Sequence, residues 1–436
     1  MSETAIAAGR LDAETLARNF ADIAPALSAH EAAVEAARCY FCHDAPCVEA
    51  CPTGIDVPRF IRGIGSGNLR GAATTILEAN IFGGSCARIC PTEILCEGAC
   101  VRHAEEERPV RIGALQRVAT DWLMAREPTP FARAPATGKR VAVMGAGPAG
   151  LSCAHALARR GHEVSVYEAQ PKPGGLNEYG IAAYKLPEDF AQQEIAWLLA
   201  MGGITIHHET RPLSALRAEY AAVFVAVGLA GVRRLALEGE RMPGVRDAVA
   251  FIAELRQSEK ARVAVGRRVV VIGGGNTAID AATQARRLGA QEVHLVYRRG
   301  PQHMSATGAE QEWAQTNGVT IRHFAAPRRL LVEAGRLAGV EFSRTGPDES
   351  GHFVLAADMV LKAIGQSFEN RIEPDGLTLA LQDGRIRVDA ARRTSMPGVW
   401  AGGDCVAGGP DLTVAAVQDG KLAAASIHAF LEDGHG

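Results

Sequence analysis

What this chain lacks narrows its identity first. It has no excess of either charge: 46 Lys and Arg stand against 49 Asp and Glu, a formal net charge of −3. Neither nucleic acid nor an anionic membrane surface is therefore an expected partner. It has no low-complexity segment and no apolar run long enough to cross a bilayer. Its opening, "MSETAIAAGRLDAETLARNF", is acidic and polar where a signal peptide is basic and then apolar. A cytoplasmic enzyme is the expectation. Cysteine is nearly missing beyond residue 100, where only Cys153 and Cys405 occur, in apolar or glycine-rich surroundings. Those two read as small buried hydrophobes.

The other eight of the ten cysteines crowd between Cys39 and Cys100. In a reducing compartment such crowding points to metal binding rather than to a disulfide framework. The chain is long enough, at 436 residues and 47% apolar, for two or three domains with cores of their own. Residues 1–135 carry the cysteines among short helical patterns such as "LRGAATTILEAN", and "REPTPFARAPATG", with three prolines, reads as a linker. Beyond it come "KRVAVMGAGPAGLSCAHALARRGHEVSVYEA" and "RRVVVIGGGNTAIDAATQARRLGAQEVHLVYRR", each a strand, a glycine turn, a helix and a strand. Continuous apolar strands alternating with helices predict parallel sheets covered on both faces, and the repetition predicts two nucleotide-binding domains. "YAAVFVAVG" and "ADMVLKAIG" end alike, and mark where the chain leaves and re-enters the first of them.

The expected fold is thus α/β: an N-terminal α-helical domain (1–135), then a first Rossmann-like domain (139–235 and 366–436) with a second one (236–365) inserted. In the first, Gly145-Ala-Gly147-Pro148-Ala149-Gly150 supplies the tight turn, the close approach to a pyrophosphate and the helix N-terminus. Glu168 closes the next strand, where an acidic side chain meets ribose hydroxyls. In the second, Gly273-Gly274-Gly275-Asn276-Thr277 has the same context, with Ala278 for the third glycine. Its strand ends in Arg298 and Arg299 with no acidic residue, which favours a 2′-phosphate and NADP(H), or else is a solvated strand end. Gly365 is counted with the cofactor-contacting glycines.

"WAGGDCVAGGPDLTVAAVQDG" resembles the second FAD motif of flavoproteins with two dinucleotide domains. Gly403 and Asp404 then reach the ribitol, and a helix starting near Thr413 faces the pyrimidine end of the flavin. FAD goes to the first domain and the nicotinamide to the inserted one, with hydride transfer between them. Disulfide reductases of this architecture place a cysteine pair beside the flavin, but "PKPGGLNEYGIAAYKLP" contains no cysteine. The electrons need another exit.

The cysteine runs offer one: Cys39, Cys42, Cys47 and Cys51-Pro52, then Cys86, Cys90-Pro91, Cys96 and Cys100. A cysteine before proline is a feature of ferredoxin-type runs, where it ligates the other of two clusters. Soft thiolates suit zinc as well as iron–sulfur, but zinc carries no electrons for a flavin.

Taken together, "RCYFCHDAPCVEACPTGIDVPRFIRGI", "GAATTILEANIFGGSCARICPTEILCEGACVR" and "IGALQR" resemble the bacterial electron-input subunits of NAD-dependent dihydropyrimidine dehydrogenase, and more distantly the small subunits of glutamate synthase. The resemblance implies one [4Fe–4S] cluster on Cys39, Cys42, Cys47 and Cys100. It implies a second on Cys51, Cys90, Cys96 and Gln116, with Cys86 left as a packed thiol. It places Lys185 near flavin N5 as the catalytic cation, and lines the flavin with the backbone at Gly175 and Leu176. Ser305 stands where NADPH-using relatives carry a further arginine, which leans the choice toward NADH. The implied acceptor is a separate catalytic subunit with an FMN- and iron–sulfur-bearing β/α barrel, in a heterotetramer that reduces uracil or thymine. A glutamate synthase small subunit, or another general electron-input subunit, is the alternative.

Overall fold

The computed structural model describes residues 5–346, 351–373, 376 and 379–434. They form two compact units: a larger one of residues 24–178, 188–230 and 368–436, and a smaller one of 1–23, 179–187 and 231–367.

In the larger unit, five parallel strands lie in the order Val399–Ala401, Ala222–Val225, Arg140–Met144, Glu163–Tyr167, Ile204–His207. The central strands are buried along nearly their whole length, as their unbroken apolar runs require. Before this sheet comes a group of helices, Ala29–Ala36, Val57–Gly65, Leu69–Ala79, Gly83–Ile89 and Ile112–Met124. Their starts are set locally. Ser28 and Glu31 form a capping box, the Asp56 carboxylate accepts from Arg59 N with Pro58 in the first turn, and Asn68 accepts from Gly71 N. Phe60, Ile61 and Ile64, then Ile76 and Leu77, then Leu115, Ala119 and Leu123 are buried at helical spacing. These side chains share one hydrophobic core with Val141, Val143, Leu151 and Ile427 of the nucleotide fold. The cysteine-bearing helices therefore pack as part of the larger unit and are not a separate bead on a linker.

The long helix Thr413–Glu432 crosses the helix Pro148–Arg159 closely enough that glycine is required. A Cβ on Gly420 would stand 2.3 Å from Ala149 O, and Ser152 Oγ donates to Val417 O at 2.8 Å. A second tie joins Gly83–Ile89 to the helix Phe190–Leu199. Glu194 is completely buried and accepts from both the backbone N–H (2.9 Å) and the hydroxyl of Ser85. Burial pushes its carboxyl up to about 7 against the pull of these hydrogen bonds and of Arg88.

That shift carries a pH dependence with a definite sign. The native state holds the Glu194 proton where the unfolded chain has released it, so between about pH 4.5 and 7 this group makes stability fall as pH rises. Glu194→Gln keeps an acceptor for Ser85 and removes the ionisation. Its thermal midpoint should match the wild type at pH 5 and exceed it by a few degrees at pH 8. Equal midpoints at pH 8 would refute the assignment.

In the smaller unit a second five-stranded parallel sheet has the order Thr320–Arg322, Glu292–Val296, Arg268–Gly273, Met359–Ala363, Val245–Asp247. A three-stranded antiparallel sheet accompanies it, Ala325–Glu333, Arg336–Arg344 and His352–Ala356, with register shifts at Pro327/Arg329 and Leu331/Val332. Residues 1–23 belong to this unit although they precede the cysteine runs. Ile6–Ala7 pairs with Val265–Gly266, Asn19 donates to Arg287 O, and Leu16 and Phe20 enter the core around Val263 and Leu288. The architecture is α/β as the sequence predicts, with a helical segment ahead of two five-stranded parallel sheets. Among the described residues no helix is long and apolar enough to cross a membrane.

Candidate functional site

The first glycine turn shows why each glycine stands where it does. Gly145 has φ +99°, and a Cβ there would lie 2.4 Å from Ala226 O. A Cβ on Gly150 would lie 2.0 Å from Gly145 O. Gly147, at the start of the helix Pro148–Arg159, is different: its Cβ would meet only Gly175 Cα, at 3.8 Å. The space over Gly147 is open, as a phosphate approaching the backbone of Gly147, Pro148 and Ala149 requires. Glu168 is buried beside this turn and accepts from Ala146 N (2.8 Å) and Gln170 N (2.7 Å). Gly175 (φ +54°) packs against Gly147, and Leu176 next to it is partly exposed.

The second flavin motif joins the same place. Gly403 (φ +75°) donates its N–H to Asp419 at 2.9 Å, and Asp419 in turn pairs with Arg392 at 2.7 Å. Asp404 borders a cavity of about 240 Å³, together with Arg385, Asp411 and Pro52. Burial, with Asp411 nearby, pushes its carboxyl up to about 6, only partly offset by Arg385. A partly buried carboxyl beside this cavity can accept hydrogen bonds from a polyhydroxyl chain. Thr413, the first residue of the long helix, donates its hydroxyl to Asn177 at 2.7 Å. Sequence reasoning passed over Asn177, Asp419 and Arg392. Only the "QDG" before the helix–helix crossing at Gly420 hinted at Asp419.

In the smaller unit, a Cβ on Gly273 would lie 2.2 Å from Ala363 O, and one on Gly274 would run into the Tyr297 ring at 2.5 Å. Gly275 starts the helix Asn276–Arg287 and faces Ser305 Oγ, so Asn276, Thr277 and Ser305 gather at one helix N-terminus. Asn276 Oδ1 is buried and has no partner among the described residues, which suits a ligand that donates. Arg298 and Arg299 are exposed, the latter 5.5 Å from the Tyr297 ring centre. Gly365 (φ +104°) accepts from Arg233 N at 3.1 Å.

Lys185 also lies in the smaller unit. Its ammonium pairs with Asp280 at 2.8 Å and Glu310 at 2.6 Å, with the side chain 10% exposed. Burial opposes its charge, yet the two carboxylates outweigh burial and hold its pKa above the ordinary value. Nothing in "YKLP" pointed to those partners, which come from two helices far along the chain.

The sulfurs fall into two groups in the larger unit. Cys39, Cys42, Cys47 and Cys100 line one cavity with Val57 and Ile112. Burial raises the Cys47 thiol to about 12, with Cys100, Cys39 and Cys42 adding to the effect. Cys90 and Cys96 are raised too. Cys90 is held up first by a hydrogen bond with Cys86 and then by burial, Cys96 first by burial, and both feel Cys51. Cys51 Sγ lies 3.3 Å from Thr53 Oγ1. Gln116 is buried on the helix packed against the one that carries Cys86, and its amide nitrogen donates to Gly83 O at 2.7 Å. Among the described residues no trio of His, Cys, Asp or Glu is spaced to close on a single metal ion. The raised thiols of Cys39, Cys47, Cys90 and Cys96 resist ionisation by themselves, and a cationic inorganic core is what would stabilise them as thiolates. The donor set fits iron–sulfur centres.

Comparison with known proteins agrees with this arrangement. A family model described as pyridine nucleotide-disulphide oxidoreductase matches residues 139–420, and one described as dihydropyrimidine dehydrogenase domain II, 4Fe-4S cluster, matches residues 16–128. The NAD-dependent dihydropyrimidine dehydrogenase subunit PreT of Escherichia coli (strain K12) is 37% identical over 425 residues, covering 95% of this chain and 98% of its own. The NADP(+)-dependent formate dehydrogenase subunit beta of Moorella thermoacetica is 35% identical over 89% of this chain and 60% of its own length. The crystal structure of T. acidophilum thioredoxin reductase matches with a TM-score of 0.55 at 20% identity, covering 67% of this chain and 98% of that one, a likeness of fold.

Proposed function

This chain belongs to the family of NAD-dependent dihydropyrimidine dehydrogenase subunits, within the pyridine nucleotide-disulphide oxidoreductases, and from that premise we propose that it feeds electrons from NADH to a partner that reduces uracil or thymine. It is a flavin- and iron–sulfur-dependent oxidoreductase subunit that takes in electrons from a nicotinamide. When bound, FAD supplies two-electron chemistry with the nicotinamide, and iron–sulfur centres pass the electrons on singly. In this reading the part that holds two clusters lies within residues 1–135, of which the first 23 pack with the smaller unit, the FAD part is 139–235 with 366–436, and the nicotinamide part 236–365.

The residues divide the work. Gly145, Gly147 and Gly150 bring backbone to the FAD pyrophosphate, Glu168 orients its ribose, and Asp404 accepts from its ribitol. Gly175, Leu176, Gly403 and Thr413 shape the flavin's surroundings, and Lys185 is its proposed cationic neighbour. Gly273, Gly274, Gly275, Asn276 and Thr277 seat the nicotinamide dinucleotide, with Gly365 close by and Arg298 and Arg299 at its ribose end. Cys39, Cys42, Cys47 and Cys100 hold one [4Fe–4S] cluster, and Cys51, Cys90, Cys96 and Gln116 the other.

The observation that carries the reading is the meeting of Pro52, next to Cys51, with Gly403 and Asp404 on one cavity. It supports an exit from the flavin directly into the cysteine region, without a redox disulfide. Ser305 at the Gly275 turn, in place of a further arginine, favours NADH, and the relatives named NAD-dependent agree. The acceptor in this reading is an FMN- and iron–sulfur-bearing barrel subunit in a heterotetramer. The formate dehydrogenase relative supports a second reading, the same electron-input module joined to a different partner.

Anaerobic co-purification with the partner decides between them. The proposal expects uracil reduction with NADH at a kcat/KM at least about tenfold above that with NADPH. Uracil left unreduced, with glutamine-dependent glutamate formation or formate oxidation in its place, transfers the module to the other partner.

A further inference from the structure

One turn of the helix Thr413–Glu432 makes three separate contacts. Asp419 accepts from Gly403 N in the flavin motif, Gly420 lies against Ala149 O of the first glycine turn's helix, and Lys421 reaches the cysteine region. The Lys421 ammonium donates to Ala79 O at 2.5 Å and to Thr53 O at 3.2 Å. Thr53 is two residues from Cys51, and its hydroxyl lies 3.3 Å from the Cys51 sulfur. Burial lowers the pKa of Lys421. The lysine satisfies two carbonyls that an apolar side chain would leave without this donor, at the cost of partly desolvating its charge.

We propose that Lys421 is a positioning residue for electron exit from the flavin: it ties the Cys51-Pro52-Thr53 loop to the flavin-motif helix and sets a fixed positive charge beside Cys51. That charge stabilises the added electron when one electron passes from reduced flavin to the cluster on Cys51, and so raises that cluster's reduction potential. Cluster potentials respond to net charge, hydrogen bonds and burial, and a unit charge acts strongly where water is excluded. The inference rests on the proposed assignment of Cys51 as a cluster ligand.

The test is an EPR-monitored redox titration of the anaerobic holoprotein, with wild type, Lys421→Met, Lys421→Gln and Lys421→Arg, and with Cys51→Ser to identify the signal. Glutamine removes the charge but still donates to the two carbonyls, so it decides the matter if the methionine variant folds poorly. The expected result is a more negative potential for the Cys51-dependent signal in the Met and Gln variants, and an unchanged potential for the other cluster. Flavin reoxidation through that cluster should slow about tenfold, and arginine should restore both. An unmoved potential in Lys421→Gln, with iron and sulfide content intact, overturns the inference. A wild-type spectrum without any Cys51-dependent signal removes the ligand assignment and the inference together, and is distinguishable because the first outcome retains that signal.

Discussion

Cys51→Ser should leave NADH able to bleach the flavin while reduction of any acceptor beyond it falls by at least about a hundredfold. Changes to groups that merely support a metal ligand already cost 10–100-fold, and loss of a soft thiolate from the cluster proposed on Cys51 is more severe. Serine fits the space but offers a hard, poorly ionised oxygen. The measurements are stopped-flow flavin bleaching, which should be unchanged, and iron content, which should fall by about half if two clusters are present. Cys86 is the informative control. It is buried and hydrogen-bonded with Cys90, so Cys86→Ser should keep its full iron. If Cys86→Ser loses iron and Gln116→Ala does not, the fourth ligand is Cys86. Undiminished transfer in Cys51→Ser removes it from the path.

The second large effect concerns the flavin turn. Gly150→Ala places a methyl 2.0 Å from Gly145 O, a clash with backbone that no rotamer relieves. Overpacking of well-fitted sites costs about 1–3 kcal/mol, and the strain falls on the turn proposed to meet the pyrophosphate. We expect a lower melting temperature for the apoprotein and FAD affinity reduced about tenfold to a hundredfold or more. Gly147→Ala separates the two causes. Its methyl finds only Gly175 Cα at 3.8 Å, so the apoprotein should melt as wild type while FAD binding weakens through blocked phosphate approach. If both variants bind FAD normally, the flavin does not occupy this turn. If both destabilise the apoprotein equally, the open space over Gly147 is misassigned.

Local features of this kind were legible before any coordinates. A glycine turn between a buried strand and a helix is dictated by contacts within a few residues or by the adjacent strand, so "GAGPAG" and "GGGNTA" declare themselves. Closely spaced cysteines declare a soft-metal site for the same reason, while their donor atoms alone suit zinc as well as iron–sulfur. The role of Gln116, by contrast, came only from resemblance, because a glutamine on a helix face carries no spacing signal. Lys185 shows the limit more sharply. Its carboxylate partners, Asp280 and Glu310, lie on two helices of the inserted fold, and charge pairing across such distances leaves no trace in the run "YKLP". The burial of Glu194 against Ser85, and the docking of residues 1–23 beside the second sheet, escaped for the same reason.

By itself, then, the amino-acid sequence determined the kinds of element, the two glycine turns and a soft-metal role for the cysteine runs, since each follows from short-range sterics or from the donor atoms present. The choice of iron–sulfur over zinc rested on the flavin fold beside them. Tertiary structure alone decided which pieces share a core, which carboxylates clasp Lys185 and that Lys421 reaches the carbonyls of Ala79 and Thr53. Those contacts depend on where distant segments cross, and hydrophobic periodicity specifies a buried face without naming what covers it.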